Sequence, residues 1–329
     1  MPFLNRTDTY WDKRAEEQLT FVELQSLPNL KAIDKVYLNA RRYTLEQVKN
    51  LYLAYYLKNG WDTQALRSIA PQGDIRRFRE AVATAGLIDE LPVNYSARLT
   101  RLEMVEANLW LEANKAALAH GAIQTAAHTE AVATAYQYAM YNLSKGTGVV
   151  PAFSQLNTRT IDNILKTKFY GKNYSDRIWA NKGKLVKNLR EELASAVASG
   201  QSYSKTANNI RESYGVTRYE ANRLIRTETN HFNTLGSVES YQSAGLEEFI
   251  FVATLDARTS TICQEHDGKK YTMKNLDVQP PLHPNCRSTI RAFLGKEYEP
   301  DQRIMRDPET GKNRYISNMS YDQWRELYL

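Results

Sequence analysis

The stretch Ser96–Leu143, SARLTRLEMVEANLWLEANKAALAHGAIQTAAHTEAVATAYQYAMYNL, settles the class of fold before any other segment is read. It is rich in Ala, has no Pro and holds a single glycine, Gly121. That composition favours uninterrupted helix. At about 1.5 Å per residue a continuous helix of this length spans roughly 65–70 Å, longer than the helices of a compact domain. His120 and His128 are not at the four-residue spacing of a helical metal pair, so both read as structural.

On the N-terminal side, Tyr10–Leu24 has helical composition and Pro28 predicts an interruption. From Leu30, apolar residues fall at Ile33, Val36, Tyr37 and Ala40, then at Val48, Leu51, Tyr52, Tyr55 and Tyr56, mostly in steps of three or four. Thr44 with Gln47 matches a capping box, which predicts two helices, the second ending near Gly60. A boundary is expected at Lys145-Gly146-Thr147-Gly148, closed by Pro151. Residues 1–150 therefore read as a helical docking or scaffold region that does not fold into one globule. Beyond it, Leu185, Leu189 and Leu193 recur every four residues up to a stop at Gly200. Ser202–Tyr214 predicts a short helix stopped by Gly215. Thr217-Arg218-Tyr219-Glu220 then reads as a capping box opening the next helix, which ends before Gly245.

The chain has 329 residues, with 43 Lys and Arg against 37 Asp and Glu, a net charge of +6. Residues 151–215 hold 11 of the basic residues and 5 of the acidic ones, so the whole surplus resides there. Lys166, Lys168, Lys172, Lys182, Lys184, Lys187 and Arg190 are interleaved with Phe169, Tyr170, Tyr174 and Trp179. Such a segment suits the phosphate backbone of double-stranded DNA; it equally suits a solvated face whose aromatics pack inward. No apolar run approaches the ~20 residues of a membrane span. The opening MPFLNRTDTYWDKR lacks the apolar core of a secretory signal. The expectation is a soluble product made in a reducing compartment, since Cys263 and Cys286 are its only cysteines.

After Gly245 the texture changes. Residues 247–253, 270–273 and 289–293 have the β-branched and aromatic content of short strands, with turns between them. The fold class is thus mainly α, with long N-terminal helices, a helical middle (151–245), a small α+β module (246–295) and a C-terminal tail (296–329). The module holds two ligand pairs, Cys263-x-x-His266 and His283-x-x-Cys286. Two such pairs joined by a short hairpin suit a structural zinc ion, which would substitute for a core that about 50 residues hardly build alone. Three other readings stay open: a Cys263–Cys286 disulfide, plain reduced cysteines, or a catalytic His283 beside Asp267 or Asp256. Arg226-Thr227-Glu228-Thr229-Asn230-His231 reads as a polar helix side that docks on the module through hydrogen bonds. The chain carries no Walker A, G-x-G-x-x-G, G-x-S-x-G or H-E-x-x-H motif.

Arg226-Thr227-Glu228-Thr229, a strand, Asp256-x-Arg258-Thr259-x3-Cys263, Asp267-Gly268 and Pro280-Pro281-x-His283-Pro284-x-Cys286-Arg287 together resemble the Mu-F-like phage head morphogenesis family, the minor head proteins of tailed bacteriophages. The resemblance covers about 155–293. Tyr10-Trp11-x-Lys13-Arg14 and the helices after it resemble the N-terminal part of members from phages of Gram-positive hosts. It departs from many members at His266, where they have a second cysteine, and at Ser288, where they have a third. It implies a non-enzymatic minor capsid protein of the virion, assembled in the host cytoplasm beside the portal and the major capsid or scaffolding protein. In some members it implies transfer with the DNA at ejection. A different class, a metal-dependent nuclease or other DNA-modifying enzyme using His283 and Asp267, is the alternative.

Overall fold

The computed structural model describes residues 10–57, 60–96, 98–147, 156–274, 278–295 and 302–329. Helices dominate, in the order α1 (Tyr10–Tyr55), a β1–β2 hairpin (Tyr56–Leu57, Gly60–Trp61), α2 (Thr63–Arg67), α3 (Gln72–Thr84), α4 (Val93–Ser96), α5 (Arg101–Thr147), α6 (Thr158–Leu165), α7 (Tyr174–Ser199) and α8 (Tyr203–Ser243). There follow β3 (Glu248–Val252), α9 (Thr261–His266), β4 (Lys270–Thr272), β5 (Thr289–Ala292), β6 (Gln302–Arg306), β7 (Asn313–Ser317) and α10 (Tyr321–Tyr328). Among the described residues no helix is long and apolar enough to cross a membrane. Gly148 and Pro151 of the expected boundary, and the first nine residues, lie outside the described residues.

The long Ala-rich run is one helix, α5, of 47 residues. Two expected breaks are absent. Pro28 lies inside α1, where it and Leu24 are exposed, so water can serve the carbonyl that proline leaves without its helical partner. Thr44 does not cap a second helix. The buried stripe Ile33, Tyr37, Ala40, Thr44, Val48 and Leu51 runs unbroken past it, and its hydroxyl meets the Tyr214 hydroxyl at 2.9 Å. Nor does Gly60 end a helix: it sits at φ 101° in the β1–β2 hairpin.

A third break is also missing, because α8 runs through Gly215. Its buried positions Ala207, Ile210, Tyr214, Thr217, Ala221 and Ile225 keep the helical step across the expected join. Thr217 bonds back to the Ser213 carbonyl at 2.9 Å instead of capping a new helix. The stop at Gly245 is as expected. The Leu246 N–H reaches the Tyr241 carbonyl and the Gly245 N–H the Gln242 carbonyl, each at 2.9 Å, with Gly245 at φ 77°, a Schellman ending. At Thr44, Gly215 and Thr217 continuity of buried surface outweighs a local signal worth about 1 kcal/mol.

The chain separates into two compact units that interleave along the sequence. One comprises Leu30–Ile123 and Tyr174–Asn222. Its core gathers Ile75, Phe78, Val82, Leu87, Tyr95, Leu99 and Trp110. The other comprises Met1–Asn29, Gln124–Asn173 and Arg223–Leu329, so the units cut across the compositional boundaries at 150 and 245. In this second unit the three expected strands form an antiparallel sheet of order β4-β3-β5, with Phe251 opposite Ile290 and Val252 opposite Thr289. Phe249, Met273, Ile290 and Ala292 pack on Ala139, Leu143, Val238 and Tyr241 of α5 and α8.

Residues 302–329 are no bare tail. They form the β6–β7 hairpin and α10 around a core of Leu255, Met305, Ile316, Tyr321 and Trp324. The helix α10 starts at a capping box of Ser320 and Gln323.

Within the second unit Gly236 of α8 faces α5. A Cβ there would stand 2.5 Å from the Val132 carbonyl oxygen and 3.0 Å from the Ala135 Cβ. Gly236→Ala is therefore expected to destabilise the protein by about 1–3 kcal/mol, because backbone must move. Gly121→Ala, with nothing within 4 Å of its Cβ, should be neutral or stabilising by up to about 1 kcal/mol. Thermal unfolding of the two variants checks the contrast.

Candidate metal centre

Cys263 sits in the short helix α9, while His283 and Cys286 lie on the turn that leads into β5. The Cys263 Sγ is 3.3 Å from His283 Nε2 and 3.5 Å from Cys286 Sγ. All three ligand atoms lie within 4.8 Å of one another. Both cysteines are buried and free, against Phe251, Ala253 and Leu282. A tetrahedral zinc with bonds of ~2.3 Å to sulfur and ~2.0–2.1 Å to nitrogen holds its sulfurs about 3.7 Å apart, and sulfur about 3.5 Å from nitrogen. The two measured separations lie within about 0.2 Å of those values, so the three side chains could hold such an ion.

The ring of His283 is oriented for the role. Its Nδ1–H donates to the Pro284 carbonyl at 2.9 Å, which leaves the Nε2 lone pair facing the thiols. Proton affinities follow the geometry. Cys263 is pushed up by its hydrogen bond to Cys286 and by burial. Cys286 is pulled down by that same bond, by His283 and by the backbone N–H groups of Ser288 and Leu282, against burial. His283 is raised, its bond to Cys286 outweighing its partial burial.

The structure does not bring His266 into this group. Its Nδ1 is 2.6 Å from the Tyr271 hydroxyl, and its ring packs edge-on against Tyr271 and tilted against Phe251. Cys263 and His266 share one helical turn, but the His266 side chain is drawn to β4. Among the described residues the cluster therefore holds three candidate ligands instead of the four expected.

Asp267 is not in the cluster either. Its carboxylate receives both Nη1 and Nη2 of Arg303, at 2.7 and 2.8 Å, and the N–H groups of Ala253 and Tyr321 at 2.9 Å. Arg303 also reaches the Ala253 and Met319 carbonyls. This buried pair ties β3, the end of α9, β6 and the start of α10 together, which leaves Asp267 no free oxygen for proton transfer. Asp256 is likewise engaged. It pairs with Arg287 and accepts from the Arg258 N–H at 2.8 Å and the Thr259 hydroxyl at 3.2 Å. Burial would raise its pKa, but Arg287 and Arg258 hold it below the usual carboxylate range.

The polar side of α8 docks on the module, as its composition suggested. Asn230 Nδ2 donates to the Cys286 and Ser288 carbonyls at 2.9 and 3.2 Å, and the Asn285 N–H reaches the Thr227 hydroxyl at 3.0 Å. Asn285 itself is in the left-handed region, φ 58°. From the preceding loop, the Tyr170 hydroxyl donates to the Leu282 carbonyl at 2.6 Å. Sequence reasoning missed Arg303 and Tyr321. The Ser320-x-x-Gln323 capping box is a sequence signal that could have pointed to structure within 302–329.

The basic residues divide between the two units. Lys166, Lys168 and Lys172 are exposed beside α6 in one. In the other, Lys182 lies 4.8 Å over the Trp179 ring, Lys187 is 3.8 Å from Glu191, and Arg190 is 3.4 Å from Glu106.

Residues 187–291 match the family described as Phage Mu protein F like protein, which bears out the resemblance read from the sequence. That match spans about a third of the chain. Over 202 residues the chain is 25% identical to the NAD(+)–arginine ADP-ribosyltransferase EFV of Enterococcus faecalis, covering 56% of this chain and 40% of that relative. The chain thus spans about two fifths of that relative's length. No solved structure matches.

Two stability tests follow from the carboxylates. Arg303→Ala strands a buried Asp267 and should cost about 3–5 kcal/mol in chemical denaturation. The depressed pKa of Asp256 contributes stability that is present above its unfolded pKa of about 3.9 and is lost as pH falls through the lower folded value. Asp256→Asn should remove that acid-limb slope while lowering stability at neutral pH.

Proposed function

We propose that this chain is a non-enzymatic minor capsid protein of a tailed phage, made in the host cytoplasm and carried in the virion head. Its long helices dock on the portal and on the major capsid or scaffolding protein. The basic segment 151–215 faces packaged double-stranded DNA. The C-terminal module is held by zinc on Cys263, His283 and Cys286, and the protein aids procapsid assembly and DNA ejection. One observation carries the reading: the 187–291 match coincides with a region whose signature polar residues hold structure together. Asp256 holds Arg287, Asp267 holds Arg303, and Thr227 and Asn230 hold the cysteine turn. A nuclease built on His283 and Asp267 has no support in this arrangement, because Asp267 is bound elsewhere.

Zinc, when bound, supplies a crosslink between α9 and the turn before β5. The protein's own residues position it: the Pro284 carbonyl fixes the His283 tautomer, and Asn230 fixes the turn that carries Cys286. Co-expression with portal protein tests assembly, since the chain is expected to sediment with portal-containing procapsids and to be detected in purified virions. Its absence from both would end the reading.

Equilibrium dialysis should load about one equivalent of zinc on the wild type. Cys286→Ser and His283→Ala should each lower occupancy at least about tenfold, while His266→Ala leaves it unchanged. Less than about a tenth of an equivalent on the wild type would refute the zinc assignment. For DNA, affinity for a nonspecific duplex should fall by about 0.9 log unit per log unit of salt for each phosphate neutralised. Replacing Lys166, Lys168 and Lys172 together with Gln should flatten that slope. An unchanged slope would return those lysines to a solvated face.

A further inference from the structure

Two buried free thiols stand 3.5 Å apart, and one histidine touches the first of them. Their sulfurs are in van der Waals contact, so a covalent bond between them needs an approach of about 1.5 Å. We infer that Cys263 and Cys286 form a reversible crosslinking site, closed as a disulfide by peroxide-type oxidants and kept open by a metal ion on the same sulfurs. The inference rests on the zinc reading for its second half alone.

The chemistry balances with one peroxide. A cysteine thiolate attacks a peroxide oxygen, the O–O bond breaks, and the sulfur becomes a sulfenic acid as hydroxide leaves and takes up a proton. The neighbouring thiol then attacks that sulfur. The S–S bond forms, the S–O bond breaks, and a second water leaves. Two thiols and one hydrogen peroxide thus give one disulfide and two waters. Burial favours this outcome over further oxidation. Cys263 is 1% and Cys286 5% exposed, so the resolving thiol is at hand while a second oxidant molecule is slow to arrive. A peroxide is small enough to reach them beside His283, which is partly exposed.

Metal and disulfide exclude each other, because both need the same sulfur lone pairs. Either state bridges α9 to the turn before β5. The module would then be held by metal when reduced and by a covalent bond when oxidised, with Asn230 anchoring the Cys286 carbonyl. A particle assembled in a reducing cell and released into an oxidising medium would exchange one staple for the other.

The test uses the full-length protein in three forms: metal-free, loaded with zinc, and metal-free Cys263→Ser. Each is treated with a slight excess of hydrogen peroxide, then alkylated and analysed by mass spectrometry, with far-ultraviolet circular dichroism confirming that the metal-free form is folded. The metal-free wild type should lose the mass of two hydrogen atoms, take up no alkylating agent, and regain both thiols with dithiothreitol. The zinc-loaded form should react at least about tenfold more slowly. Cys263→Ser should stop at an oxygenated Cys286. Addition of oxygen without a Cys263–Cys286 crosslink in the wild type would overturn the proposal, and so would equal rates with and without saturating zinc. Because the metal-free arm reads the crosslink directly, failure of zinc binding in dialysis is recognised separately from failure of the thiols to join.

Discussion

A backbone carbonyl shut away from water must be given a donor, and the turn that carries His283 and Cys286 has no ladder of its own to provide one. Asn230 supplies the donors. Its amide nitrogen reaches two carbonyls, those of Cys286 and Ser288, while Thr227, one helical turn earlier, accepts from the Asn285 N–H. These bonds fix the turn on α8, and with it two of the three ligand atoms and the entry into β5. The arrangement demands that α8 be straight and continuous where it bears Thr227 and Asn230, since both must face the same side. The steps of three between Thr227 and Asn230, and of four from Arg223 to Thr227, are those of an unbroken helix.

The reason that α8 stays unbroken also explains what was and was not readable in the sequence. Helix against strand was legible from composition: α5 is a single helix, β3 falls where Phe, Ile and Val accumulate, and β4 and β5 fall on short runs with Tyr, Thr and Ile. What failed were breaks inferred from single residues. Pro28, Thr44, Gly215 and Thr217 each carry a local preference of the order of 1 kcal/mol, except the proline at about 3. At Thr44, Gly215 and Thr217 a stripe of buried residues along the helix outweighs them, while Pro28 lies on an exposed face of its helix. A local stop signal marks a helix end where the apolar period also ends, as it does before Gly245.

The site was legible to the extent that it depends on residue type. Cysteine and histidine spacing brought out Cys263, His283 and Cys286. It could not separate His266 from them, because an i, i+3 pair on one helical turn can send its side chains to different neighbours. Tyr271, five residues on, decides the matter by offering its hydroxyl to His266. Asp267 was similarly ambiguous. An Asp beside a Gly reads as a turn or as a catalytic carboxylate, and its real partner Arg303 lies 36 residues away in a segment with no motif. Long-range ion pairs leave no trace in local sequence.

The signature residues owe their pattern to this long-range role. Asp256 and Arg287 join the loop after β3 to the loop before β5, and the Thr254 hydroxyl reaches the Arg287 carbonyl at 2.8 Å across the same gap. Asp267 and Arg303 join the module to the C-terminal hairpin, and the Trp324 indole seals that side against Met305. Buried ion pairs of this kind add little net stability over well-packed apolar residues, yet breaking one costs several kcal/mol. Here they tie the loops and short strands around the core of Phe251, Cys263, Leu282 and Cys286 to one another. The cysteine pair thus lies inside a frame already set by Asp256 with Arg287 and Asp267 with Arg303.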